Sequence, residues 1–357
     1  MQRLKALRYA LVFLLPLQLL LAMHWGSLSG MPNLMAWWPL LFFFVFLPLI
    51  DYGIGRDTVN VQPAQEREVS ASPAFKWLCL AVVPVQIATL YLSMQWFMET
   101  DLGPAGVIGW LLSQGIISGA LAINTAHEMI HKNGRLEQWS GALLLITVGY
   151  HGFKIEHLRG HHVHVSTPED PSSAPFGMTI WQFLPQALRR NSINAWALEA
   201  ERLRKAGLPV VSPHNEMLVM TLIWLALAST AFAIAGIEGL LFFLAQGILA
   251  AATLEVINYV EHYGLERRRT DAGYERTTHL HSWNSSYALS NAMLFNLQRH
   301  SDHHAYPKRR YGILRHFDDS PQLPAGYPTM FLLALCPPLW RGVMDPRVRA
   351  HHAALAS

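Results

Sequence analysis

Three long stretches of this chain, Tyr9–Gly55, Trp77–His131 and Ala206–Glu266, contain neither lysine nor arginine. Each has room for two apolar helices of about 20 residues, the length that crosses the hydrocarbon core of a bilayer. Each also carries a central breaker, at Ser27–Asn33, Glu99–Ala105 and Ala235–Gly239. The pattern predicts an all-α membrane protein with six transmembrane helices arranged as three hairpins. The spans are expected near 9–25, 34–51, 77–97, 106–127, 217–235 and 239–260 of a single domain covering 1–357. All 27 lysines and arginines fall between the hairpins or at the chain ends. By the positive-inside rule those segments are cytoplasmic and the three turns face out. Composition agrees, with 52% hydrophobic and 14% charged residues, against about 25% charged in a soluble domain. The segment Met1–Gly26 opens on Arg3, Lys5 and Arg8 and then turns apolar. A secretory signal would have an apolar core of about 7–15 residues and a small-residue cleavage site. The run Tyr9–Met23 lies at the edge of that range and no such site comes cleanly after it, so it is read as an uncleaved first span.

On this topology four histidine clusters meet at the cytoplasmic face. They are His127-Glu128-Met129-Ile130-His131, Glu156-His157-Leu158-Arg159-Gly160-His161-His162, Asn258-Tyr259-Val260-Glu261-His262-Tyr263-Gly264, and Leu297-Gln298-Arg299-His300-Ser301-Asp302-His303-His304. His127 and His131 sit at i, i+4 on one helical face. Nine imidazoles exceed the six ligands an octahedral ion can use, which points to two metal ions. A nitrogen-rich set without thiolates suits iron, copper or zinc better than magnesium or calcium. Cys79 and Cys336 have no metal-ligand spacing, so a zinc ribbon or an iron–sulfur cluster is not supported and electrons would have to come from a partner. A formal charge of +3 gives no argument for nucleic acid. Each cluster carries a carboxylate, Glu128, Glu156, Glu261 or Asp302. Such groups commonly orient a ligating histidine, and one of them could bridge the metals. His164, His279 and His281 lie near the clusters and are candidates for a similar supporting role. His24, His214, His316, His351 and His352 stand alone and are assigned none.

The same residues admit two rival readings. His127-Glu128-Met129-Ile130-His131 fits the H-E-x-x-H pattern of a zinc protease, with Glu128 as the base. That reading needs one more ligand and leaves six clustered histidines unexplained. A metal carrier or sensor would need polar residues lining a path across the spans, and none are evident. Residues 178–206 alternate apolar and charged side chains in a helical rhythm, suiting either a helix on the membrane surface or a cap over the site. The apolar segment Tyr327–Trp340 is broken by Pro337 and Pro338 and is read as interfacial.

From about Leu47 to Val348 the chain resembles the integral-membrane alkane 1-monooxygenases of the histidine-box di-iron superfamily, which also holds the fatty-acyl desaturases. The resemblance is carried by the four boxes, 127–132, 156–162, 258–264 and 297–305, and by His281-Ser282-Trp283-Asn284-Ser285. The Asn-Tyr-x-Glu-His-Tyr-Gly element at 258–264 separates alkane hydroxylases from desaturases. The resemblance implies two irons held by His127, His131, His157, His161, His162, His262, His300, His303 and His304. It implies O2 as co-substrate and insertion of one oxygen atom into the terminal methyl of an n-alkane. The electrons would come from NAD(P)H through a reductase and a rubredoxin-like carrier, at the cytoplasmic side of a bacterial inner membrane. A xylene-type hydroxylase, or one acting on another terminal methyl, would use much the same boxes. Phe43 matches a position where the family places a bulky residue along the substrate channel. Lys308, Arg309, Arg310 and Arg315 come after the last box, where they could dock an acidic carrier or anchor to anionic lipid.

Overall fold

The computed structural model describes residues 6–271 and 273–356; Arg3 and Lys5 lie outside the described residues. Among the described residues, five helices are long and apolar enough to cross a membrane: Arg8–Ser29 (α1), Pro32–Ile54 (α2), Pro73–Glu99, Pro104–Ile130 and Glu216–His262. The short helix Pro63–Ala71 (α3) precedes Pro73–Glu99 (α4), and Pro104–Ile130 is α5. Proline at the first helical position starts α2, α3, α4 and α5, where its missing N–H costs nothing. After α5 come Arg135–Thr147 (α6), a continuous helical run over 153–164 (α7), Ile180–Lys205 (α8) and Glu216–His262 (α9). A two-residue antiparallel ladder, Arg269–Thr270 with Gly273–Tyr274, leads to Ala288–Met293 (α10), His300–Ala305 (α11), Tyr327–Ala334 (α12) and Pro337–Ala356 (α13).

At 47 residues α9 would be about 70 Å long, more than twice the hydrocarbon thickness. It is broken at Ala235 (φ −135°, ψ 22°) and Gly236 (φ 61°, ψ −153°), where the expected third hairpin turn lies. Only glycine enters that last region without strain. Leu222, Leu225, Phe232, Ile237, Leu241 and Ile248 around the break are exposed, an apolar surface that lipid covers.

α5 is the central helix, with 78% of its apolar window buried, against 22% for α2 and α9. Glycines let its neighbours close in. A Cβ on Gly115 would meet the Leu249 side chain at 2.3 Å, and one on Gly119 would meet Thr253 at 2.9 Å. Near its end α5 widens into a π turn over Gly119–Ile123, and a second π turn over His157–His161 lies in α7. Such turns insert a residue into a helix, rotate the side chains beyond them, and are frequent at functional sites.

The segments after α5 form a cap beside the membrane helices. α8 buries one stripe (Ile180, Phe183, Ala187, Asn191, Ala195, Leu203) and begins with a capping box between Thr179 and Gln182. The run before the last histidine box is fixed from several sides. Phe295 and Asn296 adopt left-handed backbone (φ 52° and 56°). Asn296 Nδ2 donates to Tyr9 Oη of α1 (2.7 Å) and to the Tyr311 carbonyl (2.8 Å). Arg299, 3% exposed, donates to the carbonyls of Leu314 (2.6 Å) and Asp57 (2.8 Å). The first membrane helix and the last box are thereby locked together.

Candidate metal centre

Each histidine box emerges from an element placed by that packing. His127 and His131 leave the end of α5, and His157, His161 and His162 line α7. His262 ends α9, and His300, His303 and His304 lie on α11. The nine imidazoles converge in two groups that share no residue. His127, His131, His157, His162 and His303 form one; His161, His262, His300 and His304 form the other. Within each group the candidate ligand atoms lie within 4.8 Å of one another.

The nitrogens meet tip to tip. Nε2 of His157 is 3.0 Å from Nε2 of His131 and 3.1 Å from that of His162, which is 3.1 Å from that of His303. In the second group His304 Nε2 is 2.8 Å from His300 Nε2 and 3.2 Å from His161 Nε2, while His300 and His262 are 3.2 Å apart. Two nitrogens bound to one ion at about 2.1 Å and at right angles lie about 3.0 Å apart. The spacing therefore suits imidazoles that share an ion. His127 Nε2 is buried with no hydrogen-bond partner among the described residues, which fits a metal-ligand atom. The donor set and its geometry fit a pair of transition-metal ions.

Burial, reinforced by neighbouring imidazoles, holds His131, His157, His162, His300, His303 and His304 well below the ordinary 6.5. Neutral rings leave their lone pairs free for metal. Below 6.5 the unfolded chain takes up protons that the folded one resists, so this contribution to stability is complete above 6.5 and is lost as pH falls below it. The thermal midpoint of metal-stripped protein is expected to drop steadily between about pH 7 and pH 5. A flat profile over that interval, measured by circular dichroism, would refute the assignment of six buried neutral rings.

The carboxylates take different places, and none belongs to either group. Glu128 pairs with Lys132 (2.9 Å). Asp302 accepts from Arg315 (2.7 Å) and lies 3.2 Å from Arg309 Nε. Glu156 is buried, and its Oε1 has no hydrogen-bond partner. Glu261 reaches the site directly: its Oε2 is 3.2 Å from His300 Nε2, and its Oε1 accepts from Tyr327 Oη (2.6 Å). His281 stands apart, with Nδ1 accepting from Thr278 N (3.0 Å) and Nε2 3.3 Å from Glu275. His164 is likewise in neither group, and His279 pairs with Asp319 (2.9 Å).

Two supporting acids escaped the sequence reading. Asp170 Oδ2 is 2.9 Å from Nδ1 of His161, and Ser172 N and Ser173 Oγ donate to the same carboxylate. Glu255, fully buried, accepts from Tyr150 Oη (2.6 Å), Asn191 Nδ2 (3.0 Å) and Asn258 Nδ2 (3.2 Å). Asp170 lies in the loop Pro168-Glu169-Asp170-Pro171 and looks like turn chemistry. Glu255 stands two helical turns before His262 on α9, and an acid on that face of an apolar helix was the available signal.

An apolar cavity is lined by His127, His157 and His300. Phe43, Leu254, Ile257, Leu294, Leu297 and Phe331 are among its walls. Phe43 is 5% exposed and turned inward, with its ring 5.1 Å from that of Phe44. Among the basic residues after the last box, Arg309 pairs with Glu66 (2.6 Å), Arg310 with Glu137 (3.3 Å) and Arg315 with Asp302, whereas Lys308 is exposed.

Comparison with known proteins places this arrangement. The fatty acid desaturase family matches residues 102–334. Alkane 1-monooxygenase 2 of Pseudomonas aeruginosa is 50% identical over 360 residues, covering 99% of this chain and 94% of its own. Alkane 1-monooxygenase 1 of the same organism is 53% identical over 309 residues, 86% of this chain and 81% of its own. The xylene/toluene monooxygenase hydroxylase component of Pseudomonas putida is 30% identical over 69% of this chain and 66% of its own.

Proposed function

The chain belongs to the fatty acid desaturase family and, within it, to the alkane 1-monooxygenases, and from that membership we propose that it converts n-alkanes to primary alcohols at a di-iron centre. The observation that carries the reading is the convergence of nine histidines in two groups, three of which, His127, His157 and His300, line an apolar cavity. A methyl C–H bond offers no acidic proton and no leaving group, so side-chain acid–base chemistry has no purchase on it. Two bound irons would supply the O2 activation that the protein's own groups lack. His127, His131, His157, His162 and His303 would hold one iron, and His161, His262, His300 and His304 would hold the other. The chain's own contribution is placement. The cavity walls exclude water and aim the terminal methyl at the histidines. Asp170 fixes the ring of His161, and Glu261 is held by Tyr327 against His300. A carboxylate so placed suits a supporting role at the second iron.

The five apolar helices make this a multi-pass membrane protein. The broken α9 has length for two spans, which supports six spans in three hairpins with the cap on the cytoplasmic side of the inner membrane. Electrons come from NAD(P)H through a reductase and a rubredoxin-type carrier. His162 alone of the nine is partly exposed, so a docked carrier has its shortest approach there. The pairing of Arg309, Arg310 and Arg315 with internal acids leaves them less free to serve such a partner.

One assay tests substrate and channel together. Reconstituted with a reductase and carrier, the enzyme is expected to yield 1-alkanols from a series of n-alkanes, measured by gas chromatography. Turnover of methylarenes alone would favour the xylene-type alternative. Phe43→Ala opens the cavity wall and is expected to lengthen the longest accepted alkane by two or more carbons. An unchanged product range would count against Phe43 as a stop.

A further inference from the structure

The cavity in front of the histidines is walled mostly by hydrocarbon, yet Asn124 presents a carboxamide to it. Asn124 is 4% exposed, and its Nδ2 is buried with no hydrogen-bond partner among the described residues. It lines both the main cavity and a smaller one beside it; His127, with its own unpartnered Nε2, lines both as well. Asn124 comes directly after the π turn Gly119–Ile123, so that turn decides which way it points. It stands three positions before His127 on α5, about 4.5 Å along the axis and on one face. A buried amide without a partner is costly, and leucine would fill the same space without that cost. An acceptor that arrives in the cavity during the reaction cycle would offset that cost.

An alkane has no acceptor. The product has one: the hydroxyl oxygen on the terminal carbon, formed at the end of the cavity where Asn124 and His127 meet. We infer that Asn124 is the subsite for the product hydroxyl, its Nδ2–H donating to the oxygen of the new primary alcohol. The inference rests on the alkane-hydroxylase reading and adds to it. Asn258 Nδ2 and Tyr327 Oη, which also line the cavity, already donate to Glu255 and Glu261, so Asn124 Nδ2 is the amide free to receive the new oxygen; with it, the protein holds alcohol and alkane by the same chain contacts but distinguishes their ends. The amide so governs how long the product stays and leaves the grip on substrate unaltered.

Equilibrium binding separates the two ligands without turnover. Iron-loaded protein in lipid nanodiscs, anaerobic and unreduced, is titrated with labelled 1-octanol and labelled n-octane. Asn124→Leu is expected to weaken 1-octanol about 3- to 10-fold, the worth of one hydrogen bond, while n-octane changes less than twofold. Asn124→Ala should give the same split if leucine crowds the helix, and retained n-octane binding certifies that either variant is folded. Unchanged 1-octanol affinity in both variants, or equal loss for both ligands, overturns the proposal. If the unaltered protein binds no n-octane, the hydroxylase reading itself fails, a result distinct from a missing alcohol preference.

Discussion

His262→Ala is expected to leave one iron per chain instead of two and to abolish hydroxylation, with a loss of at least 100-fold. The reason lies in the partition of the ligands. His262 belongs to the group of four, which three imidazoles (His161, His300 and His304) would then have to hold alone. The group of five contains none of its atoms and should keep its metal. His303→Ala is the mirror experiment: it removes one of five ligands, so more of the metal should survive, although activity should fall as far because both ions are needed. Iron determination by plasma emission beside the alcohol assay checks both. Two irons retained after His262→Ala, with full activity, would remove the basis for the assignment. A short zinc site at His127 and His131 predicts the opposite, since His262 would then matter little.

Asp170→Ala should cost about 10- to 100-fold in the affinity of the four-histidine group for iron, the usual effect of losing a residue that orients a ligand. In the folded protein the Asp170 carboxylate, with Ser172 N and Ser173 Oγ donating to it, holds Nδ1 of His161 at 2.9 Å. This fixes the ring, keeps the proton on Nδ1 and leaves the Nε2 lone pair for metal. Without the carboxylate the ring is free to turn and to change tautomer. Asp170→Asn keeps a polar partner of the same size and should lose less. Timed release of iron to a chelator reads the difference. Equal release rates for Asp170→Ala and the unaltered protein would show that the contact is incidental.

Much of the architecture was legible because it rests on composition. Basic residues are excluded from a bilayer wherever they fall in the chain, so the gaps in lysine and arginine mark the long helices, and the break at Ala235–Gly236 falls where the breaker stood. The nine histidines were legible because spacing alone places imidazoles together on a helix. Their division into two groups was not. His161 and His162 are neighbours in sequence yet go to different groups, because consecutive residues on a helix point about 100° apart. Local pairing explains the carboxylates. Glu128 has Lys132 one turn away and Asp302 has Arg315 thirteen residues on, a near partner in one case and a fold-dependent one in the other. Asp170 could not be found from its own surroundings, since an acid between prolines reads as a turn until the fold brings His161 to it.

Because Asn296 bonds to Tyr9 and the ligands come from segments as far apart as His127 and His304, the centre is also a checkpoint on biosynthesis. Neither group can close until the last box has left the ribosome and met helices already seated in the bilayer. A metal pair would thus be the final piece to arrive, after the helices that carry its ligands.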